Sequence, residues 1–99
     1  MAKKPQKSLT NAFDKARAKA SYFEDFSDAG EDEIFVATNP WSGAEVILNG
    51  LEYTIYNFCT EWYKRYSSRK ETEVPVQTYD NMRYYLLHLN SNAYMELLD

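Results

Sequence analysis

Apolar positions recur along the chain in several rhythms, and each rhythm predicts an element. Leu9, Ala12, Phe13, Ala16, Ala20 and Phe23 follow three- and four-residue steps. That spacing places them on one face of a helix running from a Ser8 or Thr10 cap to about Phe23. The face is narrow and Ala-rich, so both docking onto the rest of the chain and partial freedom stay open. Glu24, Asp25, Asp28, Glu31, Asp32 and Glu33 follow without a base among them. Their mutual repulsion predicts a linker over Glu24–Glu33 that resists packing.

Ile34-Phe35-Val36-Ala37-Thr38 has the β-branched and aromatic content of a strand. Asn39-Pro40-Trp41-Ser42-Gly43 reads as a turn, because Pro40 presets φ and Gly43 permits positive φ. Ala44-Glu45-Val46-Ile47-Leu48 returns as a second strand. A lone hairpin is marginal in water and must pack on something. The next segment supplies it. Asn49 with Glu52 three positions on is a capping box, and a helix is predicted from Gly50 to about Ser67. Leu51, Ile55, Phe58, Cys59, Trp62 and Tyr66 form its main apolar stripe, with Tyr53, Tyr56 and Tyr63 on a neighbouring face.

A charged loop follows from Ser67 to Glu73, and Val74-Pro75-Val76 reads as extended, as an edge strand would be. Thr78 is expected to cap a helix from Tyr79 to about Leu89 with Met82, Tyr85, Leu86 and Leu89 on its core side. Asn90 or Ser91 then breaks and recaps the chain, and Ala93–Leu98 makes a last short helix whose Tyr94, Leu97 and Leu98 close one end of the core. The expected fold is therefore α+β: a short β-hairpin packed on two or three helices, preceded by an N-terminal helix and a flexible arm over residues 1–8. The chain divides by composition into 1–33 (basic arm, helix and acidic linker) and 34–99 (compact α+β domain).

Composition sharpens this picture. The 99 residues are 44% hydrophobic, with nine Tyr, five Phe and two Trp, so a core forms without metal or disulfide support. Cys59, the single cysteine, excludes an internal disulfide and points to a reducing compartment. The basic start leads into no apolar signal-peptide region, and no run approaches the ~20 residues that cross a bilayer. A cytoplasmic protein without membrane contact is expected. The net charge is −4. Bases nevertheless gather in the arm (Lys3, Lys4, Lys7) and after the central aromatics (Lys64, Arg65, Arg69, Lys70).

From Thr38 onward the order of features resembles small uncharacterised proteins of T4-like marine tailed phages. Thr38-Asn39-Pro40-Trp41-Ser42-Gly43, Leu48-Asn49-Gly50-Leu51-Glu52 and Asn92-Ala93-Tyr94-Met95-Glu96-Leu97-Leu98-Asp99 carry the resemblance. They are a turn, a cap and a C-terminal helix rather than chemistry. The resemblance implies a virus-encoded protein acting in the cytoplasm of a bacterial host, and it implies no activity.

Catalytic machinery is not expected. A nucleophile pair would have to be Cys59 and His88, yet Cys59 falls on the buried stripe and His88 beside an apolar face. One Cys and one His do not make a zinc site, the acidic run lacks EF-hand spacing, and Gly30, Gly43 and Gly50 stand alone rather than in a phosphate loop. No cofactor or metal is expected. Two binding readings remain. The rings left over after the core is assigned, Trp41, Tyr53, Tyr56, Tyr63 and Tyr84, are a candidate protein interface for an unidentified partner or for self-association. The alternative is a single-stranded nucleic-acid or RNA surface built from Lys3, Lys4, Lys7, Lys64, Arg65, Arg69 and Lys70 with interleaved tyrosines.

Overall fold

The computed structural model describes residues 7–30 and 32–98. Along the chain run α1 (Lys7–Lys19), β1 (Phe35–Thr38), β2 (Glu45–Leu48), α2 (Gly50–Ser67), α3 (Val76–Leu89) and α4 (Ser91–Leu97). This is a small α+β fold in which the antiparallel hairpin β1–β2 packs on α2 and α4, and α3 packs against α1, α2 and α4. The expected arm lies outside the described residues up to position 6, and the helix that follows begins at Lys7, so Ser8 and Thr10 sit inside it rather than capping it.

Capping sets the longest helix. The Glu52 amide donates to Asn49 Oδ1 at 2.8 Å and the Asn49 amide to Glu52 Oε1 at 3.0 Å, so two orphan donors of the first turn are satisfied reciprocally. Its end is a Schellman turn: the Lys70 amide reaches the Arg65 carbonyl at 2.7 Å and the Arg69 amide the Tyr66 carbonyl at 3.1 Å. Arg69 takes the left-handed position with φ 62°. Ile55, Phe58, Cys59 and Trp62 are buried as their spacing predicts, and Leu51 packs against the core from its margin. Tyr66 departs from the stripe. It is 60% exposed, because α2 runs past the edge of the core there and only its inner ring face stacks on Trp62, at 5.1 Å.

Four further expectations are corrected. First, α1 ends at Lys19 rather than near Phe23. Beyond it the chain is drawn onto the 71–74 loop, where the Ser21 amide donates to Glu73 Oε1 and the Tyr22 hydroxyl to the Thr72 carbonyl. α1 itself docks: Leu9, Ala12, Phe13 and Ala16 are buried, and Phe13 meets Tyr85 edge-on at 6.2 Å.

Second, the acidic segment does pack. The carboxylates of Glu24, Asp25, Asp28, Asp32 and Glu33 stay largely in solvent, but Phe26 sits against Phe35 at 5.1 Å and Tyr53 at 5.5 Å, and its amide donates to Thr54 Oγ1 at 2.7 Å. Asp25 meets Arg17 at 2.9 Å. One aromatic anchor and backbone hydrogen bonds outweigh repulsion among carboxylates that remain hydrated.

Third, Val74-Pro75-Val76 is no strand. The Val74 carbonyl accepts from Trp62 Nε1 and from the Thr72 hydroxyl, both at 3.0 Å, so it is taken before any ladder can use it. Pro75 instead forms the N-cap of α3, and Thr78 lies buried in its first turn rather than capping it. A missing N–H and a fixed φ cost nothing at that end of a helix. Fourth, Leu89 is 37% exposed, since α3 ends there and the chain turns away at Asn90. Asn90 recaps α4 as expected, its side chain accepting from the Ala93 amide at 3.0 Å.

Candidate interaction surface

The hairpin is built by its turn. Asn39 Oδ1 accepts from the Trp41 amide at 2.7 Å and the Ser42 amide at 3.1 Å, and the Gly43 amide closes onto the Asn39 carbonyl at 2.8 Å. Gly43 holds φ +79°, a value that L side chains rarely adopt. Asn39 Nδ2 donates to the Glu96 carbonyl at 2.7 Å and ties the turn to α4. Trp41 is left at the tip, 93% exposed.

Register then decides which side chains face outward. Ala37 opposes Val46 and Phe35 opposes Leu48 on the inner face, where Ala37, Val46 and Leu48 are buried. Val36 opposes Ile47 on the outer face, where they are 51% and 61% exposed, and Ile34 just before β1 is 64% exposed. Outward positions of a half-covered antiparallel sheet are ordinarily polar. Here an aliphatic pair and a flanking isoleucine stand in solvent, on a sheet that has two strands among the described residues. The signal was present in the sequence: Ile-Phe-Val-Ala and Val-Ile-Leu run without alternation, in strands too few to be covered on both faces.

The two edges of the hairpin differ. The Asn39 amide bonds to the Ala44 carbonyl, so the paired residues Ala37–Val46 and Phe35–Leu48 exchange ladder bonds. Val36 and Thr38 therefore turn their backbone groups outward from β1, and Glu45 and Ile47 theirs from β2. On β1 the Thr38 carbonyl is taken by the Tyr56 hydroxyl at 3.3 Å. On β2 the outward groups of Glu45 and Ile47 have no partner among the described residues and border a groove of about 590 Å³, walled on its far side by Asn90, Asn92 and Glu96.

The five candidate interface rings do not gather into one patch. Tyr53 stacks on Phe35 at 4.9 Å, and Tyr56 is buried with its hydroxyl on β1, so both fasten α2 to the hairpin instead of facing a partner. Burial pushes the Tyr56 phenol above its ordinary pKa. Trp41 on the hairpin turn, Tyr63 on α2 and Tyr84 on α3 are exposed, and no ring contact joins any two of them. Tyr63 instead pairs with Tyr66, ring centres 6.3 Å apart and both more than half exposed.

The basic set is likewise divided. Lys3 and Lys4 lie outside the described residues, and Lys7 opens α1. Arg65 is withdrawn: its guanidinium lies 4.3 Å over the Tyr22 ring and donates to the Glu71 carbonyl at 3.3 Å. Burial, with Glu73 nearby, pushes the Tyr22 phenol up to about 12. Lys64, Arg69 and Lys70 stay exposed at the same end of α2 as Tyr63 and Tyr66, with Lys64 3.4 Å from Glu61.

Cys59 is wholly buried, which pushes its thiol far up, whereas His88 is exposed, and no hydrogen bond joins them. Among the described residues no three His, Cys, Asp or Glu side chains converge, and no helix is long and apolar enough to cross a membrane. No protein-family model, curated protein or solved structure matches the chain.

Proposed function

We propose that the chain is a small non-enzymatic protein-binding module that acts in the cytoplasm on a host or viral protein and docks through the outer face of its hairpin. The observation that carries this reading is the Val36–Ile47 pair. With Ile34 it forms an aliphatic face in solvent, beside a strand edge that has no partner among the described residues, on a hairpin whose tip carries the exposed Trp41. An apolar outer face costs solubility and gives nothing to the core, which is the mark of a surface that meets a partner. Val36→Lys with Ile47→Lys tests it. Both positions are exposed, so folding persists by circular dichroism. Proteins captured from nuclease-treated host lysate by the wild type should be lost from the double variant. An unchanged set of captured proteins would refute the reading.

A second reading has its own support. Tyr63 and Tyr66 offer two exposed rings beside exposed Lys64, Arg69 and Lys70, a stacking platform with phosphate-facing charge. Fluorescence anisotropy with oligo-U tests it: binding that weakens with salt and disappears in Tyr66→Ala supports nucleic-acid recognition, and no binding at low salt removes it.

A further inference from the structure

We propose that the edge of β2 accepts an extended basic segment of the partner as a third, antiparallel strand, an inference that rests on the protein-binding reading above. Three observations converge. The outward N–H and C=O groups of Glu45 and Ile47 are a ladder waiting for a strand, since every second residue of an antiparallel edge offers both bonds. Space is already open beside them: the groove of about 590 Å³ follows the edge from Ala44 to Ile47. The charge around it has one sign, with Glu45 on the edge, Glu96 on the opposite wall and no base among the lining residues.

Strand geometry translates this into a motif. The partner residue opposite Ile47 shares its outer face and is apolar. The next residue, opposite Val46, points inward toward Asn92 and Glu96 and is Lys or Arg. The one after it lies across from Glu45 and is again basic. The β1 edge offers no equivalent, because Tyr56 occupies its Thr38 carbonyl.

A second copy of this chain is the poorer occupant. Pairing β2 with its own copy about Val46 would bring Glu45 and Glu96 of both chains into one groove, four carboxylates without a cation. The three exposed aliphatic side chains also fall well short of the ~800 Å² per partner that a stable dimer buries.

The probe is the labelled peptide Ser-Thr-Val-Lys-Lys-Thr-Ser, followed by fluorescence anisotropy and by amide NMR of the full chain. Binding is expected with shifts and exchange protection at the Glu45 and Ile47 amides. It should fall at least tenfold when the peptide is N-methylated at its valine and second lysine. Replacing both lysines by glutamate, or Glu96→Lys in the chain, should each cost at least tenfold too. Failure to bind at millimolar peptide, equal binding of the N-methylated peptide, or silent Glu45 and Ile47 amides overturns strand addition. So does a dimer in the free chain with those two amides already protected, because a second copy then holds the edge. If strand addition fails while Val36→Lys with Ile47→Lys still abolishes protein capture, the face binds and the edge does not. If that capture is unaffected, the docking face itself falls.

Discussion

Adding one methyl group at Gly50 tests the least expected contact of the fold. Gly50 opens α2, where alanine would ordinarily be the better residue: it restricts the unfolded chain and stabilises compatible sites by about 0.4–1 kcal/mol. Here its Cβ would fall well inside 3.0 Å of the Phe26 carbonyl oxygen, and only 3.0 Å from Ala29 Cβ. The obstacle is backbone, which cannot swing aside as a flexible side chain would. Either the helix start strains, at about 1–3 kcal/mol, or the 26–29 turn lifts off. Lifting exposes the half-buried Phe26, worth about 1 kcal/mol, and loses its amide bond to Thr54, about 1 kcal/mol more. It also parts the ring from Phe35 and Tyr53, at roughly 0.5–1 kcal/mol.

Set against the alanine gain, Gly50→Ala should destabilise the protein by about 2 kcal/mol. Urea unfolding followed by tryptophan fluorescence reads this as a midpoint lowered by roughly 1–2 M, for a slope near the low end of the usual range. Gly30→Ala is the control. Nothing lies within 4 Å of the Cβ it would gain, so its midpoint should hold. A Gly50→Ala midpoint that stays or rises would mean that the acidic segment does not lie against α2.

The two tyrosines of the second α2 stripe should separate cleanly. Tyr56→Ser removes a buried ring and its bond to the hairpin, and should cost about 3 kcal/mol by chemical denaturation. Tyr63→Ser changes an exposed ring, and should stay within about 0.5 kcal/mol; equal losses would place both on the same side of the helix. Arg69 holds the left-handed position of the Schellman turn, where a Cβ is penalised. Arg69→Gly should therefore stabilise by roughly 0.5–1 kcal/mol in thermal unfolding, the relief exceeding the extra chain entropy of glycine. A lowered midpoint would show that the arginine side chain makes a stabilising contact there.

Local chemistry made parts of this protein legible from residue order alone. The Asn49–Glu52 box, the Asn39–Gly43 turn and the recapping at Asn90 are hydrogen bonds and dihedral preferences among near neighbours, and each element they frame stands within two residues of where its sequence places it, α4 opening at Ser91 rather than Ala93. The stripe Ile55, Phe58, Cys59, Trp62 was readable for the same reason, since helical periodicity needs only spacing. Decisions about surface needed the tertiary structure. Whether Tyr56 or Tyr66 is buried depends on how far the hairpin and α3 extend along α2, and nothing in the tyrosines' own neighbourhood states that length. The acidic segment packs because Gly50, twenty-odd residues away, leaves room for its backbone, and Pro75 starts a helix because Trp62 has already claimed the carbonyl beside it. The outer hairpin face lies between these cases. Its apolar residues were plain in the sequence, but only the strand register, with no covering layer over them among the described residues, put Val36 and Ile47 in solvent and made them the basis of the proposed docking face.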